Sequence, residues 1–116
     1  MNSRGDRIRK ALIKELSDII QHKIKDPRIK GIISVTDVEL SPDNKYAKAY
    51  ISIFAIDESK QDVMEAINDS TSFIRGEISR RISIRHTPEI KFELDESQEK
   101  ARRINDLLDK ISRGEL

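Results

Sequence analysis

The spacing of apolar residues changes several times along this chain, and the order of the changes restricts the fold more than any other feature. Apolar residues recur every three or four positions over 8–20, which indicates one face of a helix. Residues 47–53 alternate between aliphatic residues and larger polar or aromatic ones, which is the two-residue repeat of a strand. Helical spacing returns over 63–82, alternation over 90–94, and helical spacing again over 104–111.

Residues 32–40 supply a further strand, and turn residues separate the segments. This run is rich in β-branched residues, and a slip in its apolar phase predicts a β-bulge near residues 36–37. Pro27 disfavours helical geometry in the residue before it, so the first helix should end near Lys25. The sequence Ser-Pro-Asp-Asn at 41–44 predicts a turn between the first two strands.

The second helical segment contains an interruption. The polar run Ser70, Thr71 and Ser72 competes for the hydrogen bonds of the backbone, so we expect a bend that joins two helices end to end. Capping-box sequences beginning at Ser3 and Ser59 mark the starts of the first two helical segments. The predicted order is therefore helix, strand, strand, helix, bend, helix, strand, helix, which is an α+β domain with a three-stranded sheet.

Length and composition favour one domain without disulfides or membrane spans. A chain of 116 residues typically folds as one unit, and no internal repeat or Gly-, Ser- or Pro-rich linker divides this one. The absence of cysteine suits a reducing cytosol and excludes thiol chemistry. No apolar run approaches the roughly 18 residues of a membrane span, and the N-terminus lacks a signal-peptide core. We therefore expect a soluble, cytoplasmic protein, and no feature calls for a dimer.

The charges nearly cancel in total, but they are sorted into blocks. The chain has 22 Lys and Arg residues against 21 Asp and Glu residues. Residues 1–31 carry a net charge of +5 and residues 75–91 one of +3, whereas 57–72 and 92–100 carry −4 and −3. Charges are screened beyond about 8–10 Å at physiological salt, so local charge decides what a surface attracts. Two basic blocks that fold onto one side would bind a polyanion, and nucleic acid is the first hypothesis.

The first basic block places a row of polar, mostly cationic residues on one side of the first helix. Its members fall within about 60° of one another on a helical wheel, away from the apolar face. They are Arg7, Lys10, Lys14, Gln21 and Lys25. Around Pro27, Arg28 and Lys30 could extend this row. A row of point charges suits the successive phosphates of a nucleic-acid strand. The alternatives are an ordinary solvated helix face and an ordinary polar loop.

The second basic block contains four arginines on the helix after the bend. They are Arg75, Arg80, Arg81 and Arg85. The planar fork of arginine can hold a phosphate through two hydrogen bonds or stack on a base. The alternative is ion pairing within the chain, to the acidic residues between Asp57 and Asp69.

Patterns of catalysis and metal binding are missing from the sequence. It contains no nucleophile elbow, no glycine-rich phosphate loop, no metal-ligand cluster and no paired general acid and base. His22 and His86 are isolated from each other, and we interpret each as a surface or capping residue. Tyr46, Tyr50 and Phe54 share one strand face, where contacts within the protein are the simpler interpretation and base stacking is the alternative. We therefore expect a binding protein and no enzyme, with no metal and no cofactor.

Up to the third strand, the predicted order is that of a type II KH domain, a small nucleic-acid-binding fold. The Gly-x-x-Gly loop that clamps the nucleic-acid backbone in KH domains is absent, because the junction reads Ser70-Thr71-Ser72. The chain resembles a bacterial family that has a bent helix pair in place of this loop, the ribosome-binding factor A family. At the bend that family has Ala-x-Gly, where this chain has Ser70 and Ser72.

Four segments in the same order carry the resemblance, which spans essentially the whole chain. They are Lys-Asp-Pro-Arg-Ile at 25–29, Val-Thr-Asp-Val-Glu-Leu-Ser-Pro-Asp at 35–43 running into Tyr-Ala-Lys-Ala-Tyr-Ile-Ser at 46–52, Phe-Ile-Arg at 73–75, and Arg-His-Thr-Pro-Glu-Ile-Lys-Phe at 85–92. The resemblance implies a factor that binds the free small (30S) ribosomal subunit, and not the full ribosome, late in its assembly. It implies contact with 16S rRNA and help in maturing the 5′ end region, notably in the cold. Ribosomal proteins and assembly GTPases are further partners that it suggests.

We therefore expect a single KH-like RNA-binding domain over residues 1–116, with a core of about 3–95 and an additional C-terminal helix of about 97–113. Both basic blocks should clamp rRNA through its phosphates. The expected RNA-binding residues are Arg7, Lys10, Lys14, Lys25, Arg28, Lys30, Arg75, Arg80, Arg81 and Arg85. An alternative function is a protein-interaction module, in which the acidic segment 57–72 docks a ribosomal protein or another assembly factor. A hydrolase acting on rRNA is a third, for which the sequence offers no catalytic group.

Overall fold

The computed structural model describes residues 4–54 and 60–114, and for 98–100 it describes the backbone alone. In chain order, the described residues form helix α1, strands β1 and β2, helices α2 and α3, strand β3 and helix α4. Their bounds are α1 Arg4–Asp18, β1 Ile32–Leu40, β2 Tyr46–Phe54, α2 Lys60–Asp69, α3 Thr71–Arg81, β3 Glu89–Leu94 and α4 Ser97–Ser112. None of these helices is both long and apolar enough to cross a membrane.

The three strands form one sheet in the order β1-β2-β3. The first two strands are antiparallel and joined by a tight turn, whereas β3 runs parallel to β2. A parallel pair needs a long crossover connection, which α2 and α3 provide. This arrangement confirms the predicted α+β class and the type II KH-like order with its broken helix and its additional C-terminal helix.

The core lies between the helices and one face of the sheet, and it is built from aliphatic side chains and one phenylalanine. Leu12 and Leu16 of α1 are completely buried, as are Ile74 and Ile78 of α3. From the sheet, alternate residues of β2 point inward, which confirms the predicted two-residue pattern. These are Ala47, Ala49, Ile51 and Ile53. No polar or charged side chain of the described residues is buried in this core.

A β-bulge in β1 keeps apolar residues inside on both of its halves. The pairing of β1 with β2 shifts between Val35 and Asp37, so Thr36 is the extra residue. Its hydroxyl donates to Asp95 Oδ2 at 2.6 Å. In a regular strand, residues three positions apart point to opposite faces, so without the bulge Val38 would point outward if Val35 points inward. The structure buries both side chains, at the position that the sequence predicts.

The end of the first helix differs from an ordinary α-helix. After Asp18 the chain makes one turn of π-helix, Ile19–Lys23, and then becomes extended at Ile24, where φ is −81° and ψ is 120°. A π-turn holds more residues per turn than an α-helix, and here both Ile19 and Ile20 are completely buried. The helical part therefore ends two residues before the predicted Lys25.

The break between α2 and α3 lies at Ser70, whose φ of −98° and ψ of 11° are not helical. Its N–H is shared between the carbonyls of Ala66 and Ile67, both at 3.1 Å. The hydroxyl that bonds back to a preceding carbonyl is that of Thr71, which donates to Asn68 O at 2.7 Å. Ser70 itself makes no side-chain capping bond to α3. The first residues of both predicted capping boxes, Ser3 and Ser59, lie outside the described residues.

Helix α4 carries the predicted apolar stripe, but the stripe is exposed. Its four members are between 48 and 57% exposed, and they are Ile104, Leu107, Leu108 and Ile111. The helix ends at Ser112, and two residues later Gly114 has a φ of 71°, which glycine adopts more easily than other residues. The division of the chain into a core of about 3–95 and a separate terminal helix stays a prediction.

Replacing a core leucine should cost far more stability than replacing a leucine of α4. Leu16→Ala removes a completely buried side chain, so we expect a loss of about 2–5 kcal/mol in the free energy of unfolding. Leu108→Ala makes the same chemical change at a residue that is 54% exposed, and should cost under about 1 kcal/mol. Urea denaturation followed by circular dichroism measures both. Equal losses would mean that α4 is packed as tightly as the core.

Candidate nucleic-acid interface

One side of α1 presents a row of cationic side chains to solvent. Arg7, Lys10 and Lys14 are all exposed, and they lie on the side of the helix opposite the buried leucines. Lys10 Nζ lies 3.4 Å from Asp6 Oδ2, within the same helix. Arg7 and Lys14 have no ion pair with any residue in the described part of the chain. We call these three residues the α1 basic face.

The loop after α1 adds two exposed cations, Lys25 and Lys30. Gln21, which the helical wheel placed in the same row, points elsewhere. Its Oε1 accepts from Ile33 N–H at 2.6 Å, and its Nε2 donates to Gly31 O at 3.3 Å. Gln21 also lies in the π-turn Ile19–Lys23, where the angle per residue is smaller than the α-helical wheel assumes. Gln21 therefore holds the start of β1 and lies outside the basic row.

Arg28 is bound within the protein by two carboxylates. Its Nε and Nη2 donate to the two oxygens of Asp26 at 3.1 and 2.7 Å, and Nη2 also donates to Asp69 Oδ2 at 3.0 Å. The hydrogen bonds from the Arg28 side chain and backbone lower the pKa of Asp26 to about 2. Because Asp69 ends α2, this arginine fastens the loop after α1 to the break between α2 and α3.

Arg81 fastens α3 to α1. Its Nη1 donates to Asp18 Oδ2 at 2.6 Å and to Glu15 Oε1 at 3.2 Å. The hydrogen bond from Arg81 is the main cause that lowers the pKa of Asp18. His22 is exposed, and its Nδ1 lies 3.1 Å from the other oxygen of Asp18. The Arg81 guanidinium is therefore held between two carboxylates of the neighbouring helix.

The remaining arginines of the second block have different surroundings. Arg75 donates through Nε to Pro88 O and through Nη2 to Thr87 O, both at 3.1 Å, so it holds the segment that leads into β3. Arg80 is exposed and donates twice to Glu77 Oε2 within its own helix. Arg85 does not lie on the helix as predicted, because α3 ends at Arg81 and the chain is extended at Ile82. It is exposed and has no partner among the described residues.

Within the second block, Arg75 and Arg81 thus bind other parts of the chain. Arg80 pairs within its own helix, and Arg85 has no partner in the described ranges. Among the described residues, none of these partners lies in the acidic stretch that the sequence suggested, of which Asp57 and Glu58 lie outside the described ranges. The partners are two backbone carbonyls of the segment that leads into β3, and carboxylates of α1 and α3.

A cavity of about 370 Å³ adjoins Arg85, between the N-terminus of α1, the β1–β2 turn and the segment after α3. Four side chains around it are cations or histidine, and they are Arg4, Lys45, Arg85 and His86. Arg4 and Lys45 could not be predicted from the sequence, because they are distant along the chain and no local pattern brings them together. No group of three or more His, Cys, Asp or Glu side chains among the described residues could hold a metal ion.

A family model described as ribosome-binding factor A matches residues 4–108. The chain belongs to the ribosome-binding factor A family. A family member from Clostridium novyi is 50% identical over 105 residues, which cover 90% of this chain and 87% of the relative. Another from Caldanaerobacter subterraneus subsp. tengcongensis is 44% identical over 115 residues, 99% of this chain and 94% of the relative. The resemblance noted in the sequence is thus confirmed.

Solved structures of the family have the same fold. The crystal structure of ribosome-binding factor A from Thermus thermophilus matches with a TM-score of 0.67 at 23% identity, over 76% of this chain and 91% of that one. A model of the Thermus thermophilus factor, fitted into a cryo-electron microscopy map of its complex with the 30S subunit, matches with a TM-score of 0.56 at 22% identity. It covers 74% of this chain and 93% of that one.

Replacement of Arg75 should destabilise the fold, whereas replacement of Arg80 should not. Arg75→Gln leaves two carbonyls beside the buried Pro88 without their donor, so we expect a loss of about 1–3 kcal/mol. Arg80→Gln on the same helix removes only an exposed pair with Glu77, and such pairs contribute about 0–1 kcal/mol. Urea denaturation of both variants tests this difference. A fully stable Arg75→Gln protein would contradict the structural role.

The pairing of Asp26 with Arg28 should make the protein sensitive to acid. Because the pKa of Asp26 is lowered to about 2 in the folded state, from about 3.9 in an unfolded chain, its stabilising contribution is present above about pH 4. That contribution is lost as the pH falls towards 2. Arg28→Gln should raise the pKa of Asp26 and flatten this part of the stability curve. Carboxyl NMR titration of both proteins measures it, and an Asp26 pKa near 3.9 in the wild type would contradict it.

Proposed function

We propose that this protein binds the small ribosomal subunit through its 16S rRNA, late in assembly, and assists maturation of the 5′ end region of that RNA. The observation that carries the proposal is the α1 basic face, whose Arg7 and Lys14 have no partner among the described residues. Membership of the ribosome-binding factor A family supports it. So does the complex of the Thermus thermophilus factor with the 30S subunit.

The α1 basic face suits a phosphate backbone, because its cations are suitably spaced and two of them, Arg7 and Lys14, have no partner among the described residues. Arg7 and Lys14 are separated by about 10 Å along the helix axis, at 1.5 Å per residue, so their side chains reach different phosphates of one strand. Cations without intramolecular partners can neutralise phosphates and release their counterions without first breaking an ion pair. Lys25 and Lys30 extend the same contact along the loop after α1.

The ten predicted RNA-binding residues take two roles in this proposal. Arg7, Lys10, Lys14, Lys25, Lys30 and Arg85 contact phosphates directly, and Arg80 joins them by exchanging Glu77 for RNA. Arg28, Arg75 and Arg81 hold the surface in shape through their bonds to carboxylates and carbonyls. Since few amide or aromatic side chains lie among the cations, the protein selects RNA by its shape and does not read bases along this face.

The protein acts by binding alone in this proposal. It holds an rRNA segment through its phosphates until the neighbouring elements have folded. It acts in the cytoplasm as a monomer, on the free 30S subunit and not on the full ribosome, and it supports growth in the cold. It needs no cofactor. Ribosomal proteins and assembly GTPases join it on the subunit.

Sedimentation of the tagged protein in sucrose gradients tests this function. The wild type should migrate with the small subunit at low salt and leave it as the salt concentration rises, because phosphate contacts are screened by salt. Arg7→Gln, Lys10→Gln and Lys14→Gln together should weaken binding. They should also reduce the slope of log K against log salt by about 2–3, at about 0.7–0.9 per phosphate contact.

A triple variant on other surfaces controls for net charge. Lys91→Gln, Arg102→Gln and Lys110→Gln remove the same charge from exposed residues of β3 and α4. This protein should keep the slope of the wild type. A wild-type protein that stays at the top of the gradient at every salt concentration would refute the ribosomal role. Equal slopes for the two triple variants would refute the part assigned to the α1 basic face.

A further inference from the structure

We propose that the cavity between α1, the β1–β2 turn and the segment after α3 binds one nucleotide of an RNA strand, with its phosphate at the cationic rim and its base against the apolar floor. The inference rests on the proposed function, because it assumes that RNA is the polyanion the protein binds. It adds a defined nucleotide-binding site, which we call the seat, to a surface that otherwise attracts RNA through point charges.

Three separate parts of the fold bring their cations to one rim. Arg4 begins α1, Lys45 follows the β1–β2 turn, and Arg85 and His86 follow α3. None of these four side chains makes an ion pair or a hydrogen bond with another described residue. Three cations, Arg4, Lys45 and Arg85, thus line the cavity with a single carboxylate, that of Asp43, so a net positive charge remains there that attracts an anion. A phosphate, with acceptor oxygens on several sides, can accept from several such donors at once.

The turn between β1 and β2 fixes the side of the rim that carries Lys45. Asn44 has a φ of 59°, in the left-handed region that asparagine tolerates better than most residues. Asp43 is the one acidic residue of the lining. Its Oδ1 accepts from the Ser41 hydroxyl at 2.7 Å and from Lys45 N–H at 3.0 Å. This carboxylate is therefore engaged in its own turn, where the bonds from Ser41 and from Lys45 N–H, and then the charge of Lys45, lower its pKa.

The floor of the cavity is apolar and suits a base. Ile8 of α1 and Ile84 of the segment after α3 line it, and Ile8 is only 8% exposed. A volume of about 370 Å³ lies in the lower part of the range, about 300–1,000 Å³, of pockets that bind small organic ligands. A bare phosphate would leave this floor empty, whereas a nucleotide would cover it.

The rim of the cavity also continues into the α1 basic face. Arg4 precedes Arg7 by three residues, and residues three apart are neighbours on a helix surface. Arg7 in turn precedes Lys10 by three. A strand that lies along the basic face therefore reaches the cavity without leaving the cationic surface, and one nucleotide at its end can turn into the cavity.

NMR titration of the full-length protein with small probes tests the seat. Adenosine 5′-monophosphate should shift the methyl signals of Ile8 and Ile84 together with the signals of Arg85, in a saturable way. Adenosine alone should shift none of them, because it lacks the phosphate. Inorganic phosphate should shift Arg85 and bind more weakly than the nucleotide. The double variant Lys45→Gln with Arg85→Gln should bind the nucleotide about tenfold more weakly or worse, whereas Lys91→Gln should bind it like the wild type.

Several outcomes would overturn the inference. No shift with the nucleotide would exclude the seat, and equal affinity for phosphate and nucleotide would leave an anion site without a place for a base. An adenosine hexanucleotide distinguishes RNA from a free metabolite. If the double variant weakens binding of the mononucleotide but not of the hexanucleotide, the cavity is not an RNA site.

Sedimentation of the double variant separates this inference from the function on which it rests. If the wild type and the double variant follow the small subunit equally at every salt concentration, the seat is refuted and the ribosomal role stands. If the wild type never follows the subunit but the nucleotide still shifts Ile8 and Ile84, the ribosomal role is refuted, and the seat belongs to a different RNA.

Discussion

Helix α1 buries Leu12 and Leu16 completely against the rest of the domain, and the direction of its charged residues depends on this packing. A helix with one apolar face has one orientation in which that face leaves water, and the opposite face then points outward. Rotation of α1 by a few tens of degrees would expose leucine and press Arg7 or Lys14 against the sheet. Burial of apolar surface contributes about 25 cal/mol per Å². It thus determines the direction in which the cations of α1 point, although these cations are not part of the core.

Arginine and lysine are used differently across this surface. Arg28, Arg75 and Arg81 donate to carboxylates or carbonyls of other segments, and so join the loop after α1, the start of β3 and helix α3 to their neighbours. The planar fork of arginine can make several directed hydrogen bonds at once, which suits a fastening role, whereas the ammonium of lysine is a mobile point charge. Lys14, Lys25 and Lys30 accordingly remain exposed. Of the charge in the two basic blocks, the part available to a polyanion therefore lies mainly on the lysines and on Arg7 and Arg85.

Local patterns predicted the order of the elements, the alternation in β2 and the bulge at Thr36, because each of these follows from neighbouring residues. The sequence failed where the outcome depends on contacts between distant segments. Gln21 does not join the predicted basic row, because its amide bonds to Gly31 and Ile33 at the start of β1. Arg81 found its carboxylates in α1, more than sixty residues earlier. The cavity beside Arg85 was invisible for the same reason, since Arg4 and Lys45 reach it only in the folded chain.

In the function that we propose, the arginines that bind within the protein and the exposed cations would together hold RNA in one place. Binding costs conformational freedom, and the cost is smaller when the binding groups are already arranged. Arg28 and Arg81 join α1, the loop after it and the ends of α2 and α3 through bonds that need no bound RNA. The exposed cations then share a rigid base, and their attraction to phosphate remains adjustable by salt. Phosphate contacts alone would let a strand slide along α1, since every nucleotide offers the same charge. A seat that accepts one nucleotide at the end of the basic face would stop that sliding and set the register of the strand on the protein.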